Sequence, residues 1–349
     1  MSAPRARPPS VAVVIGAYGR TTYLRRAVTS VLAQTLPRAE YEVVVTKDFS
    51  DPELDRTLGA EGVTSILDPE PVIGRWLRRA IGATTAPLVA FLDDDDEFEP
   101  ERLAEAVAVF RAHPEIGYYR NRVRVIDADG RPVDPVRWRR LERDVGFDRT
   151  GPVLVPAGTK PDALRQVTVD SFASFNSSTV VIRRELLDGD VGAAFEANEM
   201  PDLALLVAAV VSPYGMYLDD RRLTRFRYHR ENVTHAVDWL RRATEAQAAL
   251  AALTEHHGRS DFAGWLRGRA DHYDRVFRAT TIVTDVRAGA PRRRVADRAL
   301  DYLRFLGGHP AERTVDRDVW GPTLYALAYC CWPSLGRRVA RARAPGRVD

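Results

Sequence analysis

The 349-residue sequence has only two cysteines, almost no lysine and no long apolar run. The cysteines, Cys330 and Cys331, are adjacent, and adjacent cysteines rarely pair because the required disulfide geometry is strained. The proline- and arginine-rich first ten residues lack the apolar core of a signal peptide, and no run reaches the roughly 18 apolar residues of a membrane span. These absences predict a cytoplasmic protein in a reducing compartment.

The composition is that of a soluble globular chain. With 45% hydrophobic and 28% charged residues, the chain has enough material for one large core and an accessory region. Its 51 basic residues include only two lysines, and they leave a net charge of +3. The basic clusters at 137–140 and 292–294 lack the interleaved aromatic platform of nucleic-acid readers, so we interpret them as solvated faces and expect no nucleic-acid partner.

The most informative stretch is a run of apolar residues that leads directly into four aspartates. Leu88–Leu92 suits a strand buried on both faces of a parallel sheet, and Asp93–Asp96 follow at its carboxyl end, where ligands sit in open α/β sheets. Carboxylates this close repel one another unless a hard cation lies among them. The pattern therefore predicts a metal and diphosphate site, and the alternative is a solvated acidic turn.

The first 126 residues alternate strand and helix patterns, which implies a mainly parallel α/β sheet. We expect a hairpin over 123–136, a long loop over 137–161, and helices beyond Val237. Strands are predicted at 11–15, 41–45, 63–67, 88–92, 177–182 and 223–228, and helices are predicted after a cap at Thr21 or Thr22, over 73–83, from Pro100 and from Pro201.

Four segments, in order over residues 10–235, resemble the family-2 glycosyltransferases of the GT-A fold. They are Val13–Arg20 with the helix after it, Glu42–Asp51, Phe91–Asp96 as a DxD segment, and Asn176–Leu203. The resemblance implies a disordered start at 1–9, a catalytic domain at 10–235, a helical region at 236–335 and a basic tail at 336–349.

The resemblance also implies a donor site for a nucleoside-diphosphate sugar, with a UDP-sugar expected. The nucleotide-sugar contacts carried over are Ala17, Tyr18, Arg20, Asp48, Arg78, Asp93 and Asp94, and the ligands for Mn²⁺ or Mg²⁺ are Asp95, Asp93 and His229. Asp96 is an alternate or supporting group, Asn232 follows His229 near the diphosphate, and Asp94 is expected to tolerate substitution better than its neighbours. Arginines in the helix before the DxD strand can bind a diphosphate, and the alternative for Arg75 and Arg79 is a solvated helix side.

Two departures from the family pattern concern the nucleotide and the catalytic base. Thr46-Lys47-Asp48 stands where two adjacent acids are frequent, and Met200 fills the usual base position. Asp202 or Glu199 is then expected to act as the base of a single displacement, with Asp202 preferred. The alternative is that both acids simply complement the dipole of the helix that begins near Pro201.

Two other function classes stay open. A nucleotidyltransferase shares a related fold but would need a glycine-rich loop after the first strand, and here Gly16 and Gly19 stand alone. A binding or scaffold protein derived from the fold would explain Met200. The acceptor hydroxyl could belong to a glycan, a lipid-linked molecule or a natural product.

The apolar stretch 320–332 with its arginine-rich tail has two interpretations. It is either a buried core helix, or a segment that contacts the inner face of a membrane from the side.

Overall fold

The computed structural model describes residues 8–19, 21–70, 72–133, 151–167, 176–229, 237–309 and 317–334. The chain divides into two compact units, one of residues 1–230 with 249–263 and one of residues 231–248 with 264–349. The four-part division expected from the sequence stays a prediction. The candidate site lies in the first unit.

A mixed sheet forms the centre of the first unit. Its strands, within the described residues, are β1 (Val11–Ala17), β2 (Tyr41–Lys47), β3 (Thr64–Leu67), β4 (Leu88–Asp93), β5 (Glu97–Phe98), β6 (Ile116–Ile126), β7 (Val153–Val155), β8 (Val180–Arg183) and β9 (Gly215–Arg227). The order is β3-β2-β1-β4-β8-β6-β9-β5, with β7 also paired to β9. β1 to β4 run parallel, β8 runs antiparallel to β4 and β6, and β9 is parallel to β6. The predicted parallel β-α-β order is therefore confirmed for the first four strands.

Helices connect the strands and cover both faces of the sheet. They are α1 (Leu24–Leu32), α2 (Pro52–Ala60), α3 (Ile73–Gly82), α4 (Arg102–Ala112), α5 (Pro161–Val167), α6 (Gly189–Glu196) and α7 (Pro201–Val211). The predicted cap of α1 is wrong, because Tyr23 occupies the cap position and gives no side-chain hydrogen bond. Residues 177–179 form a 3₁₀ turn before β8, so the strand predicted from 177 starts three residues later.

The burial of the sheet explains its near-continuous apolar strands. Val11 to Ile15 of β1 and Val89 to Leu92 of β4 are almost fully buried, because helices lie on both sides of them. On one face they pack with α1, α2 and α4 in a single hydrophobic cluster. Of the predicted hairpin, the structure has β6 and a tight turn at 127–131, but its return is only one bridge between Ile126 and Pro132. Residues 134–136 of the predicted hairpin and 137–150 of the predicted loop lie outside the described residues. The remainder of the predicted loop contains strand β7, so the prediction of a loop is wrong there.

One edge of the sheet collects the ends of several strands. In register, Gly16 of β1 lies beside Asp93 of β4, and Ala17 lies beside Lys47 of β2. Because β8 is antiparallel to β4, the turn at 177–179 that precedes it reaches this same edge. The acidic run therefore lies at the same edge as the ends of β1 and β2 and the 177–179 turn.

The rest of the described chain is helical. It contains α8 (Val237–His256), α9 (Ser260–Ala288), α10 (Arg292–Gly308) and α11 (Arg317–Cys331). In the second unit, the end of α9 packs with α10 and α11 around Ile282, Val286, Val295 and Tyr302. Among the described residues, no helix combines the length and the apolar character that crossing a membrane requires.

Candidate active site

Three carboxylates form a compact group at the end of β4. Oxygen atoms of Asp93, Asp95 and Asp96 lie within 4.8 Å of one another. Asp95 and Asp96 are buried, whereas Asp93 is half-buried. Burial, and then the charges of Asp95 and Asp93, raise the pKa of Asp96. An arrangement of hard oxygen donors this close suits Mg²⁺ or Mn²⁺, since a bound cation removes the repulsion.

Asp96 is held by the turn before β8 and by β9. Its Oδ2 accepts hydrogen bonds from Asn176 Nδ2 and Ser178 Oγ, both at 2.7 Å, and its Oδ1 accepts one from the backbone N–H of Arg227 at 2.9 Å. Three donors on one carboxylate leave little of it for a ligand, so Asp96 acts mainly as an anchor. Its predicted place beside the metal ligands agrees with this geometry.

The same turn also holds Asp93. Ser177 Oγ donates to Asp93 Oδ1 at 2.8 Å, and the backbone N–H of Asp93 donates to Ser178 Oγ at 3.0 Å. Asn176 takes a positive φ of 60°, which among the described non-glycine residues occurs nowhere else, and its Oδ1 accepts from Ser178 N–H. Strained backbone that the surroundings fix in place is typical of functional sites.

Asp95 is bounded by two residues of the β9 end. His229 Nε2 lies 3.0 Å from Asp95 Oδ2, and Arg227 Nε donates to the backbone oxygen of Asp95 at 2.9 Å. Tyr23 covers both, with its ring centroid 5.1 Å from that of His229 and 4.8 Å from the Arg227 guanidinium carbon. The structure thus brings His229 to Asp95, whereas Asn232 lies outside the described residues.

Two aspartates hold the turn after β1. The backbone N–H of Tyr18 donates to Asp94 Oδ2 at 3.3 Å, and that of Gly19 donates to Asp48 Oδ1 at 2.7 Å. Ala17 is buried at the strand end, and Arg20 lies outside the described residues. The buried Asp94 is therefore tied to the turn, and we no longer expect it to tolerate substitution.

An aromatic pair and an ion-pair cluster flank that turn. The half-exposed ring of Tyr18 lies 5.8 Å from the ring of buried Trp76, measured between centroids. Arg79 donates to Asp68 Oδ2 at 2.9 Å, just after β3, and Arg75 lies 3.9 Å from the same oxygen. Burial would raise the pKa of Asp68, but the hydrogen bond and charge of Arg79, with Arg75, hold it below its ordinary value.

The structure does not bring Arg78 to this edge. Its guanidinium lies beside Gly192 of α6 and within electrostatic range of Arg184. Arg184 in turn donates to the backbone oxygen of Ala86, before β4 starts, which is the opposite edge of the sheet. Arg75 and Arg79 are therefore the arginines of α3 that lie beside Asp68 after β3, and Arg78 differs from Arg79 because one helical residue turns a side chain by about 100°.

The second acidic segment begins α7. Asp202 accepts a hydrogen bond from the Leu203 N–H at 2.8 Å, and Glu199 is half-buried. Burial lowers the pKa of Arg120 to about 10, against the opposing influence of Tyr118 and Asp202.

That arginine links the segment to the cluster. Arg120 Nε donates to Thr179 Oγ1 at 3.0 Å, and Thr179 is the last residue of the turn that holds Asp93 and Asp96. Asp202 is thus in electrostatic reach of a residue that contacts the aspartate-binding turn.

Sequence reasoning missed several residues of this edge. Asn176, Ser177, Ser178, Asp68 and Arg227 were not assigned individual roles. Arg227 is one of several arginines in β9 that look alike in the sequence, and only the register of that strand distinguishes it. For Asn176 the signal was available in part, since asparagine is among the few residues that tolerate a positive φ.

Comparisons with known proteins agree with this architecture. Residues 12–163 match the family model "Glycosyl transferase family 2". An uncharacterized glycosyltransferase of Nostoc sp. (strain PCC 7120) is 30% identical over 130 residues, which is 36% of this chain and 39% of that protein. The match thus spans about two-fifths of that relative's length.

Solved structures of S. aureus TarS, residues 1–349, share the fold. The complex with UDP has a TM-score of 0.52 at 14% identity, covering 95% of this chain and 90% of that one. The complex with UDP-GlcNAc has a TM-score of 0.51 at 16% identity, covering 92% and 91%. Residues 12–163 therefore resemble a family-2 glycosyltransferase domain, and the fold of the chain is the GT-A fold of the TarS structures.

Proposed function

We propose that this protein transfers a sugar from a nucleoside diphosphate to an acceptor hydroxyl, with a divalent cation held by Asp93 and Asp95. The observation that carries the proposal is the carboxylate group at the sheet edge, which joins the turn after β1, the end of β4 and the end of β9. The edge lies outside the carboxyl ends of β1, β2 and β4, where open α/β sheets bind ligands.

The residues fit a hard cation. Asp93 and Asp95 keep carboxylate oxygens within 4.8 Å of each other, Asp96 supports them from behind, and His229 can add a nitrogen or orient Asp95. A bound Mg²⁺ or Mn²⁺ would supply Lewis-acid stabilisation of the charge that grows on the leaving diphosphate. The protein's own part is to hold these carboxylates in place before the donor arrives.

For the donor we propose a UDP-sugar, because the similar TarS structures are complexes with UDP and UDP-GlcNAc. Tyr18 offers an exposed aromatic face for the base, and Asp48 keeps Oδ2 for a hydroxyl or imide N–H beyond its contact with Gly19. Arg79 replaces Arg78 in our proposal for the diphosphate side, and Arg20 keeps its predicted nucleotide role.

For the acceptor proton we propose Asp202 as the base, with Glu199 as the alternative. Asp202 accepts a backbone N–H at the start of α7, an interaction that favours the charged form needed to take a proton. A single displacement would then invert the anomeric centre. Proton NMR on fresh product tests this directly, since retained configuration contradicts a single displacement.

Ligand-induced stabilisation tests the donor and metal site without knowing the acceptor. A ligand present at a hundred times its Kd stabilises the native state by about 2.7 kcal/mol, so UDP or UDP-GlcNAc with Mn²⁺ should raise the melting temperature. Asp95→Asn should remove the Mn²⁺-dependent part. The exposed Asp129 of the 127–131 turn offers the matched control, Asp129→Asn, which should behave as the parent. An Asp95 variant with unchanged Mn²⁺ dependence would remove this residue from the site.

The competing function is a scaffold derived from the fold, which Met200 in the usual base position favours. A scaffold would still bind nucleotide but turn over no donor. Binding without hydrolysis or transfer, across a panel of nucleotide sugars and hydroxyl acceptors, would support it. A nucleotidyltransferase would instead require a nucleoside triphosphate and release pyrophosphate.

A further inference from the structure

The second unit exposes large apolar side chains along α11. Leu324 and Leu327 are 62% and 58% exposed, and Trp332, one residue past the helix end, is 66% exposed. Leu324, Leu327 and Cys331 follow helical spacing, so they share one side of α11. The opposite side, with Ala326 and Tyr329, is buried against α10. We call Leu324, Leu327 and Trp332 the apolar face.

This concentration is unusual within the molecule. Among the described residues, eight large hydrophobic side chains are exposed, and five of them belong to α10, α11 or the residue after α11: Leu300, Leu303, Leu324, Leu327 and Trp332. Scattered single apolar residues on a surface need no explanation, but a group of them marks an interaction site. Tyr302 and Tyr329 belong to the buried cluster of the second unit, so the exposed leucines are not part of that core.

Two exposed arginines lie near the end of α11. Tyr329 Oη donates to the backbone oxygen of Ala290 at 2.8 Å, and Cys330 Sγ lies 3.7 Å from that of Arg292. The end of α11 therefore lies at the start of α10, where Arg292 and Arg293 are exposed. Residues 292–349 carry twelve arginines against six aspartates and glutamates, whereas the whole chain is only +3.

We propose that the apolar face, with the exposed Arg292 and Arg293, binds the surface of an anionic lipid bilayer. Leucine side chains and a tryptophan enter the boundary between headgroups and acyl chains, and flanking arginines meet the negative surface. α11 has 15 residues and no described helix is suited to span a bilayer, so the segment lies on the membrane.

The combination of charge and apolar surface favours a bilayer over a second copy of the chain or a nucleic acid. A second copy of the chain would bring the same arginines to the same face, and like charges would repel. A nucleic acid would meet the arginines but would leave the leucines without a partner. Only an anionic bilayer satisfies both the apolar and the cationic parts of the surface.

Flotation with vesicles tests the inference and needs no knowledge of the reaction. The full-length protein should float with vesicles of phosphatidylcholine and phosphatidylglycerol, float poorly with phosphatidylcholine alone, and lose binding as salt is raised. The variant Leu324→Ser/Leu327→Ser/Trp332→Ser should lose at least about tenfold in affinity, because most of the buried apolar area is removed. Leu154→Ser, at a leucine that is 45% exposed in β7, is the matched control and should bind as the parent.

A second variant guards against the chance that the triple variant misfolds. Arg292→Gln/Arg293→Gln changes only exposed side chains, and it should weaken binding to anionic vesicles and flatten the salt dependence. Absence of flotation with anionic vesicles would overturn the inference, as would equal binding by the triple variant. Lipid-free self-association, detected by sedimentation velocity and abolished in the triple variant, would also overturn it, because a second copy would then cover the face.

Discussion

At the scale of single residues, the four consecutive aspartates have different surroundings. Asp93, Asp95 and Asp96 form the carboxylate group, and Asp96 accepts three hydrogen bonds from the protein. Asp94 accepts a hydrogen bond from the Tyr18 N–H instead. The chemistry of each is thus set by its partners. Substituting a partner is therefore as informative as substituting the aspartate itself.

We expect substitution of Asn176 to weaken cation binding, although Asn176 acts on the cation only through Asp96. Losing the amide removes a donor from Asp96, and supporting residues of this kind typically change metal affinity by about 10–100-fold. Asn176→Gly tolerates the positive φ, so its effect comes from losing the two side-chain hydrogen bonds with Asp96 and Ser178, whereas Asn176→Ala adds backbone strain. Mn²⁺ affinity measured by electron paramagnetic resonance should fall in both, with the alanine variant also melting lower. Parent-like Mn²⁺ affinity in the glycine variant would limit Asn176 to a structural role.

We expect Asp202→Asn to lower kcat by about 10²-fold or more, the range that general-base catalysis supplies. The change keeps the shape of the side chain and its place at the start of α7 but removes the proton acceptor. Nucleotide and Mn²⁺ binding should stay close to the parent, because no donor-side contact is altered. Glu199→Gln is the matched control and should have the smaller effect. Two silent variants would place the base outside this segment.

At the scale of elements, the fold joins the donor side to the acceptor side through one close helix contact. Gly74 of α3 donates its N–H to the Asn198 backbone oxygen at 3.2 Å, and Asn198 Oδ1 accepts from Met200 N–H at 2.8 Å. The first turn of α3 is thus bonded to the segment that carries Glu199 and Asp202. A glycine is required because a Cβ there would lie 2.0 Å from the Phe195 backbone oxygen.

We expect Gly74→Ala to destabilise the protein by about 1–3 kcal/mol, as overpacking in a core does, since the obstructing atoms are backbone and cannot rotate away. Its effect on transfer should exceed its effect on UDP affinity, because the displaced segment carries the proposed base. Gly82→Ala at the end of the same helix is the control, since nothing lies within 4 Å of its added Cβ. Urea unfolding and UDP titration measure the two effects. Equal stability of the two variants would show that the contact can relax.

At the scale of the whole molecule, the candidate site and the excess of positive charge belong to different parts of the sequence. All described residues of the candidate site precede residue 230 and lie in the first unit, whereas the apolar face lies in the second. Residues 292–349 carry an excess of positive charge, so the remainder of the chain is net negative. Binding of nucleotide and binding of lipid should therefore respond to different substitutions.

We expect removal of residues 335–349 to leave the UDP- and Mn²⁺-induced melting shift unchanged and to weaken flotation with anionic vesicles. The deleted segment holds five arginines and one aspartate, so the loss is mainly electrostatic and should be greatest at low salt. The melting-shift and flotation assays are run side by side on the parent and on the truncated protein. A reduced nucleotide shift in the truncated protein would contradict the separation of the two surfaces.

The sequence by itself determined the parallel strands, the acidic strand end and the family resemblance, because each depends on local patterns. Apolar runs indicate strands that are buried on both faces. Four successive aspartates indicate a cation site, because their carboxylates repel one another without a cation. His229 was also expected near the metal group, because the family resemblance implies a late histidine beside the diphosphate. These features need only neighbouring residues and a known rule about sheet edges.

Tertiary structure alone decided which side chains meet at that edge. Asn176 and Ser178 reach Asp96 across 80 and 82 positions of sequence because β8 runs antiparallel to β4, and a strand pattern carries no direction. Arg79 pairs with Asp68 after β3 whereas Arg78 lies beside Gly192, because consecutive helical residues point in directions about 100° apart. Contacts of this kind arise from strand order and helix rotation, which are properties of the assembled fold.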